Sequence, residues 1–395
     1  MIMEQKSCNA SCGLDRFDSI RPFNPEELPA VYERLLDDPQ FRQVVAYILP
    51  GVPLDAVRQK MMSCRTNLDF QLAFCYDFLN GLLKKTSTGI DMDNAAIDKD
   101  RRYTFVSNHR DIVLDSAFLD KLLIDAEFVT TCEIAIGDNL LSLPWVKDLV
   151  RVNKSFIVRR GLSPRETLVA SRTLSEYMHF VINEKNDNIW IAQREGRAKD
   201  SDDRTQPAIL KMMAMGGQGS VAERLAALHI VPLSISYEYD PCDYLKAAEF
   251  QLKRDVKGWK KSAHDDVVSM QTGIMGYKGR IHYHCSPCID DYLYGEAADM
   301  PKTEVFDAVA EHIDKEIHRN YRLFPINYAA LDMLGGTALH TDKYTLEDKA
   351  VFEQYLAGQM AKIDIPDRDE AFLYERMLTM YANPAANYLA AIERK

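Results

Sequence analysis

Nowhere in the 395 residues is there an uninterrupted apolar stretch near the roughly 18 residues that a membrane-spanning helix needs. The opening MIMEQKSCNASCGLDRF likewise holds no apolar run of the kind a secretory leader carries, so a cytoplasmic chain is expected. Cysteine is sparse. The eight (Cys8, Cys12, Cys64, Cys75, Cys132, Cys242, Cys285 and Cys288) are too scattered for a disulfide framework and read as reduced thiols. A basic excess is missing too: 48 Lys and Arg face 59 Asp and Glu, for a net charge of -11 and a pI near 5.4. That argues against a nucleic-acid footprint, which displaces phosphate counterions with a basic face. Any anion site must therefore be local. Internal repeats and low-complexity tracts are also lacking.

What is present is an ordinary globular balance, 47% hydrophobic and 27% charged, in a chain long enough for two or three domains. Residues 25–88 read as two or three helices, with apolar positions recurring at three and four and Pro50-Gly51-Val52-Pro53 as punctuation. Residues 1–24 are expected to be a mobile tail. The polar, glycine-bearing stretch 85–102 reads as a boundary or connecting loop. Beyond it, short apolar runs at 103–106, 134–136, 155–158, 189–192, 230–237 and 280–285 alternate with helical patterns, clearest over 164–182. Strand and helix in repetition mean an α/β layer over about 89–300. Residues 301–395 return to helical periodicity, over 305–317, 346–360 and 370–380.

The stretch SNHRDIVLDS (107–116) holds His-Arg-Asp, which also opens a kinase catalytic loop. A kinase needs Asn five residues after that Asp, a glycine-rich loop upstream and Asp-Phe-Gly downstream. Here the fifth residue is Ser116, and neither other element occurs. Three further blocks come after SNHRD in order: KSFIVRRG (154–161), IWIAQREGRAKD (189–200) and HIVPLSISYE (229–238). Together the four resemble the consecutive blocks of the glycerolipid acyltransferase family, over about residues 100–290. The resemblance implies an α/β fold with a mixed, largely parallel sheet flanked by helices. It also implies acyl transfer from a thioester, acyl-CoA or acyl-ACP, to the hydroxyl of glycerol 3-phosphate or lysophosphatidic acid. In this scheme the thioester is a substrate, and no metal or organic cofactor is expected.

An alcohol attacking a thioester must lose its proton, and a histidine titrating near operating pH suits that task. His109 is the candidate base, with a carboxylate on its far nitrogen to fix the tautomer. The family spacing has four residues between His and Asp, whereas Asp115 comes after His109 with five between and Asp111 with one. Asp115 is preferred, with the extra residue taken up in the strand-to-helix turn. Asp111 is the alternative, Asp115 then favouring the start of the helix.

Ten Lys and Arg against five Asp and Glu between residues 151 and 199 make a local excess of +5 in an acidic chain. Arginine grips phosphate with two parallel donors, and strand ends are where open α/β sheets bind ligands. By resemblance the acceptor-binding positions are Arg159, Arg160, Glu195, Gly196, Arg197 and Lys199, with Pro232 lining the acyl side. Two positions depart from the family: Ala198 stands where Thr or Ser is common, and Arg194 where Pro or an aromatic is.

Weaker signals receive structural readings. His282, His284, Cys285 and Cys288 offer metal-ligand chemistry, but alternation in RIHYHC puts the two histidines on one face and Cys285 on the other, so no metal is expected. Phe70, Phe74, Phe78, Leu79, Leu82 and Leu83, ahead of Lys84-Lys85, read as a helix packed on the catalytic layer rather than a membrane-facing surface. Cys8 and Cys12 receive no role. The expected partners are the thioester donor, a phosphorylated glycerolipid acceptor and the cytoplasmic face of the inner membrane, held peripherally. Two rivals keep the same residues: an acceptor that is an amino-acid-type lipid, and a non-catalytic lipid-binding or scaffold protein.

Overall fold

The computed structural model describes residues 15–393. Among them, one sheet is built from β1 (Gly89–Asp93), β2 (Thr104–Ser107), β3 (Cys132–Gly137), β4 (Ser155–Val158), β5 (Asn188–Ala192), β6 (Ile230–Tyr237) and β7 (Arg280–Cys285), in the order β1-β7-β6-β2-β5-β3-β4. Every pairing is parallel except β6 with β7. The interior strands read as nearly continuous apolar runs because helices cover both of their faces. Phe105, Trp190 and Val231 face the helix Leu114–Asp125, packing with its Phe118, Leu119 and Leu122. Val106, Ile189 and Ile191 face the other way, against the helices Pro164–Phe180 and Val305–Arg319. The α/β fold with a mixed, largely parallel sheet is therefore the observed one.

Strand β1 lies in the stretch read as a loop. Its sequence, GIDMD, turns Ile90 and Met92 toward the core while its other three residues are exposed, as suits an edge strand paired only with β7. Two apolar residues in five are too few to announce a strand. At the other edge, the backbone amide of Ile157 in β4 donates to the carbonyl of Ile20 (2.9 Å). Phe17 and Ile20 are buried in the core, with Phe17 edge-on to Tyr177, and Phe23 joins the core of the N-terminal helices. Residues 17–23 of the expected tail are thus packed, because apolar side chains at spacing three cover that edge. Residues 1–14, with Cys8 and Cys12, lie outside the described residues.

The N-terminal region holds more helices than expected, among them Leu28–Asp37, Pro39–Ile48, Leu54–Ser63 and Tyr76–Thr86. The first three enclose Val31, Tyr32, Leu36, Phe41 and Met61, whereas Leu79, Leu82 and Leu83 of the fourth pack on the sheet beside Leu119. Phe78 and Leu72 stay partly exposed. Among the described residues no helix is long and apolar enough to cross a membrane.

Beyond β7 the helices Pro325–Gly335, Leu346–Met360 and Glu370–Glu393 gather a core of their own around Phe352, Leu356, Leu373 and Met377. The last of these, expected to close near 380, runs on through Pro384. Proline inside a helix loses one rung. Its neighbours supply other contacts: Asn383 Nδ2 donates to the carbonyl of Asp200 (2.8 Å) and Asn387 Nδ2 to Asp202 Oδ1 (3.1 Å). The helix is thereby docked on the loop that leaves β5.

On the helix Val305–Arg319, His312 stacks on Tyr292 with ring centroids 3.8 Å apart. Burial, with help from Arg319 and Lys315, pushes its pKa down from 6.5 to about 4. The unfolded chain then takes up this proton first as pH falls, so stability is lost from about pH 6.5 downward toward 4 and is unaffected by this group above 7. His312→Phe keeps the stack without the titration. Its stability relative to the parent, followed by denaturant midpoints, should be flat above pH 7 and should improve steadily below 6.5.

Candidate functional site

β2 ends at Ser107, and the chain at this end is held by contacts with both neighbouring strands. Asn108, fully buried, donates from Nδ2 to the carbonyl of Ile235 (2.9 Å) and accepts the Ile235 amide on Oδ1 (2.8 Å). Its side-chain amide extends the β2–β6 ladder by one more rung. On the other side Trp190 of β5 donates from Nε1 to Ser107 Oγ (3.0 Å) and sets its ring edge against the His109 imidazole (centroids 5.7 Å). Asn108→Ala removes both bonds and strands two buried backbone groups, so it should cost about 2–3 kcal/mol. A denaturant midpoint shift at unchanged slope would show it.

His109, 12% exposed, brings Nδ1 to 2.8 Å from Asp115 Oδ2. The same oxygen accepts the amides of Arg110 (2.6 Å) and Asp111 (3.0 Å). Asp115 is fully buried in the first turn of the helix Leu114–Asp125. Since His109 stands outside that helix, the turn at 110–113 folds back and absorbs the long spacing. Asp111 does something else. Its Oδ1 accepts the amides of Val113 (2.9 Å) and Leu114 (2.8 Å), capping the helix, while burial and the nearby Asp115 raise its pKa. No group among the described residues engages His109 Nε2. With the Nδ1 proton committed to the carboxylate, Nε2 presents a lone pair, the arrangement that accepts a proton from an attacking hydroxyl.

The acyltransferase family model matches residues 90–236, from β1 to the end of β6. Residues 90–236 form an acyltransferase domain. No curated protein matches the chain.

The acyltransferase domain spreads the other expected site residues along the carboxyl ends of β4 and β5. Arg197 faces Asp111 and Asp240. Burial alone would lower its pKa, but Cys242 and these two carboxylates hold it above the ordinary value. Arg160 pairs with Glu195 (3.1 Å), joining the tips of β4 and β5, and its amide donates to Asp138 Oδ1 (3.0 Å). Gly196 adopts φ +69°, a left-handed conformation that suits glycine and opens the turn between Glu195 and Arg197. Arg159 is exposed and lines a cavity of about 230 Å³ with Lys147, Arg151 and Asp138. Lys199 is bound to Glu249 of the helix Asp243–Asp255 and lowered to about 8 by burial. Pro232 is buried within β6 opposite Val106. The structure thus joins His109 to Asp115, sets Arg197 against Asp111, places Arg159, Arg160 and Glu195 farther along the edge, and commits Lys199 to a carboxylate.

Several residues here were not singled out from sequence. Asn108 and Arg110 lay inside the quoted block, but their partners, Ile235 and Asp203, are distant in the chain. Side-chain nitrogens of Arg110 (Nη1), Gln193 (Nε2), Arg194 (Nε) and Arg197 (Nη1) are buried without an acceptor. Buried donors left unpaired are costly, and these four belong to residues that follow β2 and β5 in the chain; Arg110 also lines a recess. Away from this edge, His282 and His284 pair with Asp91 and Asp93 across β1 and β7, while Cys285 is buried on the opposite face. Cys288 instead lies beside His229 and Asp290, with candidate ligand atoms within 4.8 Å of one another. A cation already attends that group: Arg101 lies 3.8 Å from Asp290 Oδ2 and 3.5 Å from His229 Nδ1.

Proposed function

We propose that this acyltransferase moves a fatty acyl group from an acyl thioester, acyl-CoA or acyl-ACP, to the hydroxyl of glycerol 3-phosphate or lysophosphatidic acid at a membrane surface. The observation that carries the reading is the His109–Asp115 pair, whose carboxylate occupies Nδ1 and leaves Nε2 for the alcohol. The hydroxyl oxygen attacks the thioester carbonyl as its proton passes to Nε2; collapse of the tetrahedral intermediate breaks the C–S bond, and the proton returns to the departing thiolate. Asp115 steadies the imidazolium between those steps. The unpartnered guanidinium nitrogens of Arg194 and Arg197 supply charge for the acceptor phosphate without any net basic character in the chain.

The test is incubation of the purified full chain with a radiolabelled acyl thioester and separate acceptors: glycerol 3-phosphate, lysophosphatidic acid and an amino-acid-type lipid. Label should appear in phosphorylated glycerolipid. Label found only in the aminolipid product would replace the acceptor, and label left wholly in the thioester would remove the enzymatic reading.

A further inference from the structure

Arg110 is the residue next to the base, yet its guanidinium serves a different place. Only 7% exposed, it reaches Asp203 (Nη2 to Oδ2, 2.8 Å) and lies over the ring of Tyr321 at 5.6 Å. The Tyr321 hydroxyl donates to the same Asp203 oxygen (2.8 Å). Lys246 and Arg194 lie within electrostatic reach of the same fully buried carboxylate, but only Arg110 forms an ion pair with it. Arg110 Nη1 and Arg194 Nε remain buried and unbonded, as does Asp203 Oδ1. A dehydrated cation with idle donors is destabilising unless an anion completes it.

A polar hollow opens at this point. It is lined by Arg110, Ser201, Ser236, Tyr321, Arg322 and Tyr381. Asp240 also borders it, but that carboxylate is taken up by Lys246. Arg322 is exposed and pairs with no carboxylate among the described residues, and its backbone amide is fixed by Ser236 Oγ (3.0 Å). Tyr321, Arg322 and Tyr381 all lie beyond residue 236, outside the stretch matched by the acyltransferase model. The C-terminal helices thus contribute one wall of a cationic recess whose floor begins one residue from the base.

We propose that this recess is a second anion subsite, taking a phosphate or carboxylate carried by one of the two substrates, with Arg110 at its floor and Arg322 at its mouth. It rests on the acyl-transfer reading above, because it assumes that His109 marks the reacting end of a ligand whose charged part lies alongside. The anion has two sources, the acceptor headgroup or the nucleotide portion of a coenzyme A donor, and they are separable.

Calorimetric titration of the full chain with glycerol 3-phosphate, and separately with coenzyme A, is the experiment, using the parent, Arg322→Gln and Arg110→Lys. Loss of one charge-assisted contact should weaken one probe about tenfold and leave the other within about twofold, and the probe affected names the source. Arg322 is exposed, so its variant stays informative even where Arg110→Lys fails to fold. Both probes binding Arg322→Gln as they bind the parent, with melting curves superimposed, would overturn the subsite, as would a parent that binds neither. Failure of the acyl-transfer reading is seen separately, in parent protein that forms no acylated product.

Discussion

His109→Ala should lower kcat with glycerol 3-phosphate or lysophosphatidic acid by about a thousandfold, the middle to upper range for loss of a positioned general base and equivalent to about 4 kcal/mol of activation free energy. KM should move by no more than a few-fold, because the lone pair on Nε2 is used on the reacting proton and not on the charged part of the acceptor. The fold should survive. The imidazole is partly exposed, and Asp115 keeps the amides of Arg110 and Asp111 when the ring is gone. Steady-state rates and a melting curve on the same preparation would check both halves. A variant that is equally stable and retains more than a tenth of the parent rate would remove His109 from the reaction and leave the scaffold reading standing.

The core of the domain was legible because its strands are buried on both faces, so that TFVS, NIWIA and IVPLSISY stand out as apolar runs between helical patterns. Their carboxyl ends share one edge of the sheet, which placed His109 and the arginine-rich segments together before any contact was known. What escaped the sequence reading has one physical cause: the deciding contacts join residues far apart in the chain. β1 has only Ile90 and Met92 to show for itself, since its other residues face solvent. The long C-terminal helix carries a proline that normally announces an end, and continues because it is docked on the loop after β5. Tyr321 and Arg322 carry no motif. They reach the site only because the helix Val305–Arg319 packs on the sheet, with Ser234 Oγ donating to the carbonyl of Ile317 in its last turn and Ser236 Oγ accepting the amide of Arg322 just beyond it.

The choice between the two carboxylates near the base should separate cleanly in a pair of isosteric variants. Asp115→Asn replaces an acceptor of three hydrogen bonds, one of them from the imidazole, with a neutral amide. The amide can present its NH₂ to Nδ1, which selects the wrong tautomer, and it cannot balance an imidazolium. By the logic of orienting carboxylates in hydrolase triads, kcat should fall by about 10³-fold with KM nearly unchanged. Asp111→Asn is different, because Oδ1 accepts only from Val113 and Leu114, and asparagine caps a helix about as well as aspartate. Its pKa is already raised by burial and by Asp115, so exchanging it for a neutral group relieves a like-charge contact, which offsets the loss of one of the two carboxylates facing Arg197. Here kcat should stay within about fivefold and stability within about 1 kcal/mol of the parent. The reverse pattern, activity lost in Asp111→Asn and kept in Asp115→Asn, would mean that the turn at 110–113 rearranges in solution so that the nearer carboxylate meets the ring. A separation of six residues works only because the base precedes the helix and its partner lies in the first turn, so the chain folds back on itself. On one continuous helix, residues six apart would lie about 240° from each other and could not meet.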